Sequence, residues 1–102
     1  MRVLQLAPGV QATAGVASGT TAIPSDSSGS PAKCVMISVI TASEMAVIRP
    51  VVEVSATVTA ANGLPVIDSV PRLLWVAGST YIAHIRGRSN NCVFNITPVE
   101  NY

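Results

Sequence analysis

Charge is what this sequence has least of. Only 11% of its 102 residues are Asp, Glu, Lys or Arg, less than half the share found in ordinary globular domains. Six cations against five anions leave a net charge of +1. The clustered Lys and Arg that phosphate binding demands are missing, so no nucleic-acid partner is expected. So weak a charge also does little to keep chains apart, which favours association. No run of about 18 apolar residues exists to span a bilayer, so no membrane partner is expected either. Met1-Arg2 followed by Val3-Leu4-Gln5-Leu6 imitates the start of an export signal, and Ala12-Thr13-Ala14 imitates its cleavage site. Gln5, Pro8 and Gly9 break the apolar stretch between them, and no signal is expected.

Reactive groups are scarce as well. Histidine occurs once, at His84, and the carboxylates Asp26, Glu44, Glu53, Asp68 and Glu100 are scattered. Nucleophilic catalysis needs a base beside a nucleophile and a third group to orient it, and no G-x-S-x-G elbow or phosphate-cradling glycine loop is present. No catalytic residue and no cofactor are expected, and His84 reads as a structural or interface imidazole. Cys34 and Cys92 stand far apart without a C-x-x-C pair. A zinc site takes about four ligands, so no metal site is expected. The two cysteines are either buried thiols or a disulfide, the latter only if their Cα atoms come within about 7 Å.

What the chain has in quantity is small and β-branched residues: 15 Val, 13 Ala, 11 Ser, 8 Thr and 8 Ile against 5 Leu. β-branched side chains lose rotamer freedom in a helix and fit a pleated surface, so the mixture favours strands. Residues 7–32 lack large side chains except Ile23, and they read as an extended arm with one short strand over 18–23. Residues 26–31 (DSSGSP) form a loop. Further strands are expected over 34–40, 45–48 (ending before Pro50), 64–67, 72–76, 80–86 and 92–97. Residues 53–59 alternate as a strand does, but also suit an exposed loop. The clearest element is a closing hairpin, with 80–86 and 92–97 flanking the turn formers of 87–91. No stretch carries helical periodicity with a cap. The expected fold is all-β: one small antiparallel sandwich or jelly-roll-like domain over 33–102, preceded by an extended N-terminal arm over 1–32.

Arg86 and Arg88 at the hairpin ends, and Arg49 and Arg72 beside prolines, are either solubilising charges or partners for carboxylates on another subunit. Trp75, within Leu73-Leu74-Trp75-Val76, is expected in the core. Asn95-Ile96-Thr97 matches a glycosylation sequon by pattern only.

Five pieces in order resemble the small β-sandwich decoration (cement) proteins of tailed-phage capsids. They are residues 35–40, Met45-Ala46-Val47-Ile48-Arg49, Gly63-Leu64-Pro65-Val66, Tyr81-Ile82-Ala83-His84-Ile85 and Cys92-Val93-Phe94-Asn95-Ile96-Thr97-Pro98. They cover roughly residues 33–98, and their order and spacing carry the likeness. One departure is that Arg49 leads into Pro50-Val51-Val52 where the family pattern has a glycine. The resemblance implies a non-enzymatic structural protein, made in the host cytoplasm and seated on the capsid surface of the virion. Its partner would be the major capsid protein, bound across capsomer junctions. A homo-oligomer is expected, a trimer being favoured because it multiplies weak contacts. Residues 1–23 are expected to dock on the shell or a sister subunit by strand addition, and residues 1–17, extended, would reach about 55 Å at roughly 3.3 Å per residue. Their removal is then expected to abolish binding and leave the body folded. Two alternatives stand beside this: a head–tail joining or tail-ring subunit, and a carbohydrate-binding sandwich, which requires Trp75 to face solvent.

Overall fold

A computed structural model describes residues 5–101. They form an all-β sandwich of eight strands: β1 (Val10–Ala14), β2 (Gly19–Ala22), β3 (Cys34–Val39), β4 (Met45–Val51), β5 (Leu64–Ile67), β6 (Arg72–Trp75), β7 (Tyr81–Arg86) and β8 (Cys92–Pro98). Every ladder is antiparallel, and first pairs with last: β1 with β8, β2 with β7, β3 with β6, β4 with β5. Two further ladders, β3 with β8 and β4 with β7, close this long ribbon into sheets ordered β1-β8-β3-β6 and β2-β7-β4-β5. A ribbon rolled in this way is a jelly roll.

Alternation sets which side chains meet between the sheets. On β8, Cys92, Phe94, Ile96 and Pro98 are buried while Val93, Asn95 and Thr97 are half-exposed. Val35, Ile37 and Val39 of β3 lie inward in the same way, facing Ala46, Ile48, Val66 and Ile82 of the other sheet. Five bulky side chains, Phe94, Ile37, Ile48, Ile82 and Ile96, are fully buried at the centre.

Three expectations are corrected. β7 and β8 do not form a hairpin: they belong to opposite sheets, and residues 87–91 cross the gap of about 10 Å between them. Their inward faces meet instead, with the His84 and Phe94 rings edge to face at 5.4 Å. A five-residue connection serves either geometry, so turn chemistry alone does not choose.

Secondly, residues 10–22 are not an arm. β1 and β2 are edge strands, one in each sheet, and Ala12 and Ala14 sit in the core. Small side chains suffice there because β8 supplies the bulk, Ala12 pairing with Phe94 and Ala14 with Cys92. Strand addition does occur, within the chain itself. The approach is close: a Cβ on Gly9 would lie 2.3 Å from the Ile96 carbonyl oxygen. Residues 1–4, the tip of the expected arm, lie outside the described residues.

Thirdly, β4 runs through Pro50. Past Ile48 it is paired only on the β7 side, because its ladder with β5 stops there, and a residue without an N–H is tolerated.

Residues 53–59 form no strand. Residues 52–63 are a loop laid across the outer face of the β2-β7-β4-β5 sheet, where Val58 closes a second apolar cluster with Val47, Val51 and Ala83. Three bonds pin it: Thr20 Oγ1 donates to the Val54 carbonyl (2.9 Å), the Val58 N–H donates to Ser18 Oγ (2.9 Å), and Arg49 Nη1 donates to the Thr57 carbonyl (3.3 Å). Gly63 leaves room for this packing, since a Cβ there would come within 2.5 Å of Val47 Cγ1 and 2.7 Å of Val58 Cγ2. Gly63→Ala is expected to destabilise the fold by about 1–3 kcal/mol through overpacking, read as a lower denaturant midpoint at unchanged slope.

Candidate functional site

The two broad outer faces of the sandwich differ. One is covered by residues 52–63; the other, on the β1-β8-β3-β6 sheet, has no such cover among the described residues. Its outward side chains follow from register. Gln11 and Thr13 of β1 stand opposite Asn95 and Val93 of β8; Met36 of β3 lies between Thr97 and Leu73; Ser38 stands opposite Asn95; and Cys34 stands opposite Trp75 of β6. None of these outward positions is charged. The edge strand β6 carries the largest apolar groups, with Leu73 55% and Trp75 59% exposed.

Trp75 is therefore not the core residue expected from its apolar neighbours. β6 is short and at the sheet edge, and alternation turns Leu74 inward, packed on the core, while Leu73 and Trp75 turn out. The solvent-facing Trp75 that a sugar platform requires is thus present. Cys34, opposite Trp75 in the register, is buried although it lies on the outward side of its strand.

The remaining residues singled out in the sequence hold the frame. His84 lies between the sheets, 7% exposed, with Nε2 2.9 Å from Thr21 Oγ1 and Nδ1 without a partner. Burial pushes its pKa below the usual imidazole value. Arg88 Nη1 donates to the Ser43 carbonyl (2.8 Å), while Asp68 Oδ2 accepts from the Ser43 N–H (2.9 Å). Together they hold Ser43 at φ +63°, where the chain crosses between sheets after β3. Arg86 Nη1 lies 3.5 Å from Asn91 Oδ1, and Arg72 is exposed on β6. Arg49, Arg86 and Arg88 thus serve loop oxygens of their own chain.

Cys34 and Cys92 are both free and buried. Burial raises both thiols, and the charges of Glu44 and Asp68 raise Cys92 further, so neither has thiolate character. They occupy opposite ends and opposite faces of their sheet, which precludes a bond between them. Asn95 of the sequon faces outward, half-exposed, beside Gln11. Among the described residues no three His, Cys, Asp or Glu gather where a metal could be held. Asp26 is bound by its own loop: bonds from the Ser28 hydroxyl, foremost, and from the N–H groups of Ser30 and Ser28 lower its pKa. A cleft of about 410 Å³ beside it is lined by Ile23, Ser25, Pro31, Gly78, Ser79 and Thr80, with hydroxyls as its only side-chain polar groups.

The uncharged face is the feature that a linear reading misses. Its members sit at alternate positions of four strands that are distant in sequence, and only pairing brings them together. It carries amide, hydroxyl, thioether and apolar groups and no charge. No protein-family model, no curated protein and no solved structure matches this chain.

Proposed function

We propose that this protein is a non-enzymatic structural subunit that seats the outer face of its β1-β8-β3-β6 sheet on a larger assembly, in the manner of a phage capsid decoration protein. The observation that carries this reading is the charge-free face bearing Met36, Leu73 and Trp75. Interface centres are depleted in charge and enriched in Trp and Met, whereas a permanently solvated face carries Lys and Glu. The partner is the major capsid protein, and the chain resides on the capsid surface as one subunit of a homo-oligomer, a trimer being favoured.

The test is co-sedimentation with capsids that lack the protein. Binding by a neutral face is expected to change little between low and high salt. Leu73→Asp combined with Trp75→Arg is expected to weaken it at least about 30-fold, the ~2 kcal/mol of an interface hot spot. Undiminished binding by this variant, with its fold intact, overturns the reading. Copy number in the purified particle separates a shell protein from a head–tail joining or tail-ring subunit.

The exposure of Trp75 favours one second reading, a carbohydrate-binding sandwich that stacks a neutral sugar on the indole. Trp75 is the only tryptophan, so its fluorescence reports on this face. A saturable change on titration with neutral polysaccharides supports the sugar reading; a flat titration together with capsid binding supports the first.

A further inference from the structure

β2 is a four-residue edge strand, paired only with β7 and with none of its residues fully buried. Across that ladder, Thr21 Oγ1 meets His84 Nε2 at 2.9 Å. The imidazole points between the sheets with its Cε1 edge over Gly19, where a Cβ would approach to 3.2 Å, and its ring against Phe94. With Nε2–H donating to Thr21, Nδ1 is a buried lone pair, which costs less than a buried N–H without an acceptor. Protonation would create that orphan N–H and place a full charge in the core.

No carboxylate faces the ring from the elements packed against it. β1 and β2 carry no ionisable side chain, β4 presents Ile48 inward and Arg49 outward, and β8 presents Phe94 and the neutral Cys92 thiol. On β7 itself the nearest charge is Arg86, which repels an imidazolium. Glu44 lies at the far end of β4, next to Asn90.

We propose that His84 is an acid-sensitive latch whose protonation frees β2 from β7 and, through Ser18 and Thr20, lifts residues 52–63 off the outer face of the second sheet. Ser18 and Thr20 supply two of the three bonds that pin this cover. Beneath it lie Val47, Val51 and Ala83, each 6% exposed or less. Acid then uncovers a second apolar surface while the β1-β8-β3-β6 sheet stays paired.

The sign follows from linkage. Above about pH 6.5 both closed and open states hold a neutral imidazole, and opening is independent of pH. Below it the open state binds a proton that the closed state refuses, so opening rises about tenfold per pH unit until the depressed closed-state value is reached.

Amide hydrogen exchange between about pH 7.5 and pH 5, corrected for intrinsic rates, tests this. Residues 18–22 and 52–63 are expected to lose protection in acid while β3 and β8 keep theirs. His84→Gln, which retains a donor for Thr21, is expected to abolish the pH dependence. Since His84 is the only histidine, its ring-proton titration in the unmodified chain gives a second readout, expected below the ordinary imidazole value. Protection that is flat with pH, equal loss across both sheets, a persisting pH dependence in His84→Gln, or an ordinary His84 titration each overturns the latch.

Discussion

Deleting residues 1–17 is expected to unfold the chain, not merely to detach it from a partner. The deletion removes β1, and with it Ala12 and Ala14 from the core and the close approach of Gly9 to β8. It also removes the Gly15 carbonyl that accepts the Arg86 N–H at 2.9 Å. What remains is β8 with a bare edge and with Cys92, Phe94 and Ile96 uncovered along one side, a template for aggregation. The expected result is an insoluble product, or a soluble one without a cooperative thermal transition. A soluble monomer that melts like the full chain would contradict the placement of β1.

The largest point effect is expected at Phe94. This side chain is fully buried, lies at the middle of β8, and touches the other sheet through the His84 ring. Phe94→Ala leaves a cavity between two sheets that cannot collapse far, at about 3–5 kcal/mol. Since a domain of this size holds only about 5–15 kcal/mol in all, the melting temperature is expected to drop by roughly 15–30 °C. One position earlier, Val93 points to the outer face. Val93→Ala is expected to cost under about 1 kcal/mol. Equal losses at the two positions, followed by calorimetry, would mean that the alternation of β8 is misassigned.

Much of the strand content is legible in the sequence. The stretches 34–39, 64–67, 72–75, 81–86 and 92–98 declare themselves by β-branched residues and by bounding Gly, Pro and Asn. What local pattern does not carry is partnership. Five turn-forming residues after Arg86 look like a hairpin, yet in a jelly roll the same length spans the gap between sheets. β1 escapes notice because its inward residues are alanines, and the apolar weight of that contact belongs to Phe94 and Ile96. Val54, Ala56 and Val58 alternate as a strand would, but only Val58 is buried, because the segment caps a sheet and does not join one.

The candidate surface was half legible. A charge content of 11% marks a chain with an uncharged face somewhere. Which face it is depends on Leu74, and not Trp75, taking the inward position on β6, a choice made by pairing with β3. The arginines illustrate the converse. They look like docking groups in a charge-poor sequence, and three of them are occupied by the oxygens of nearby loops or loop side chains.

The most direct test of the proposed seating on a particle is oxidative footprinting, performed on the free protein and again on the protein bound to capsids that lack it. Trp75 and Met36 are readily oxidised and share the uncharged face; Val52 and Val54 lie on the opposite side. Labelling of Trp75 and Met36 is predicted to fall sharply in the particle while Val52 and Val54 stay reactive. Unchanged labelling of Trp75, or protection confined to Val52 and Val54, would contradict the assignment.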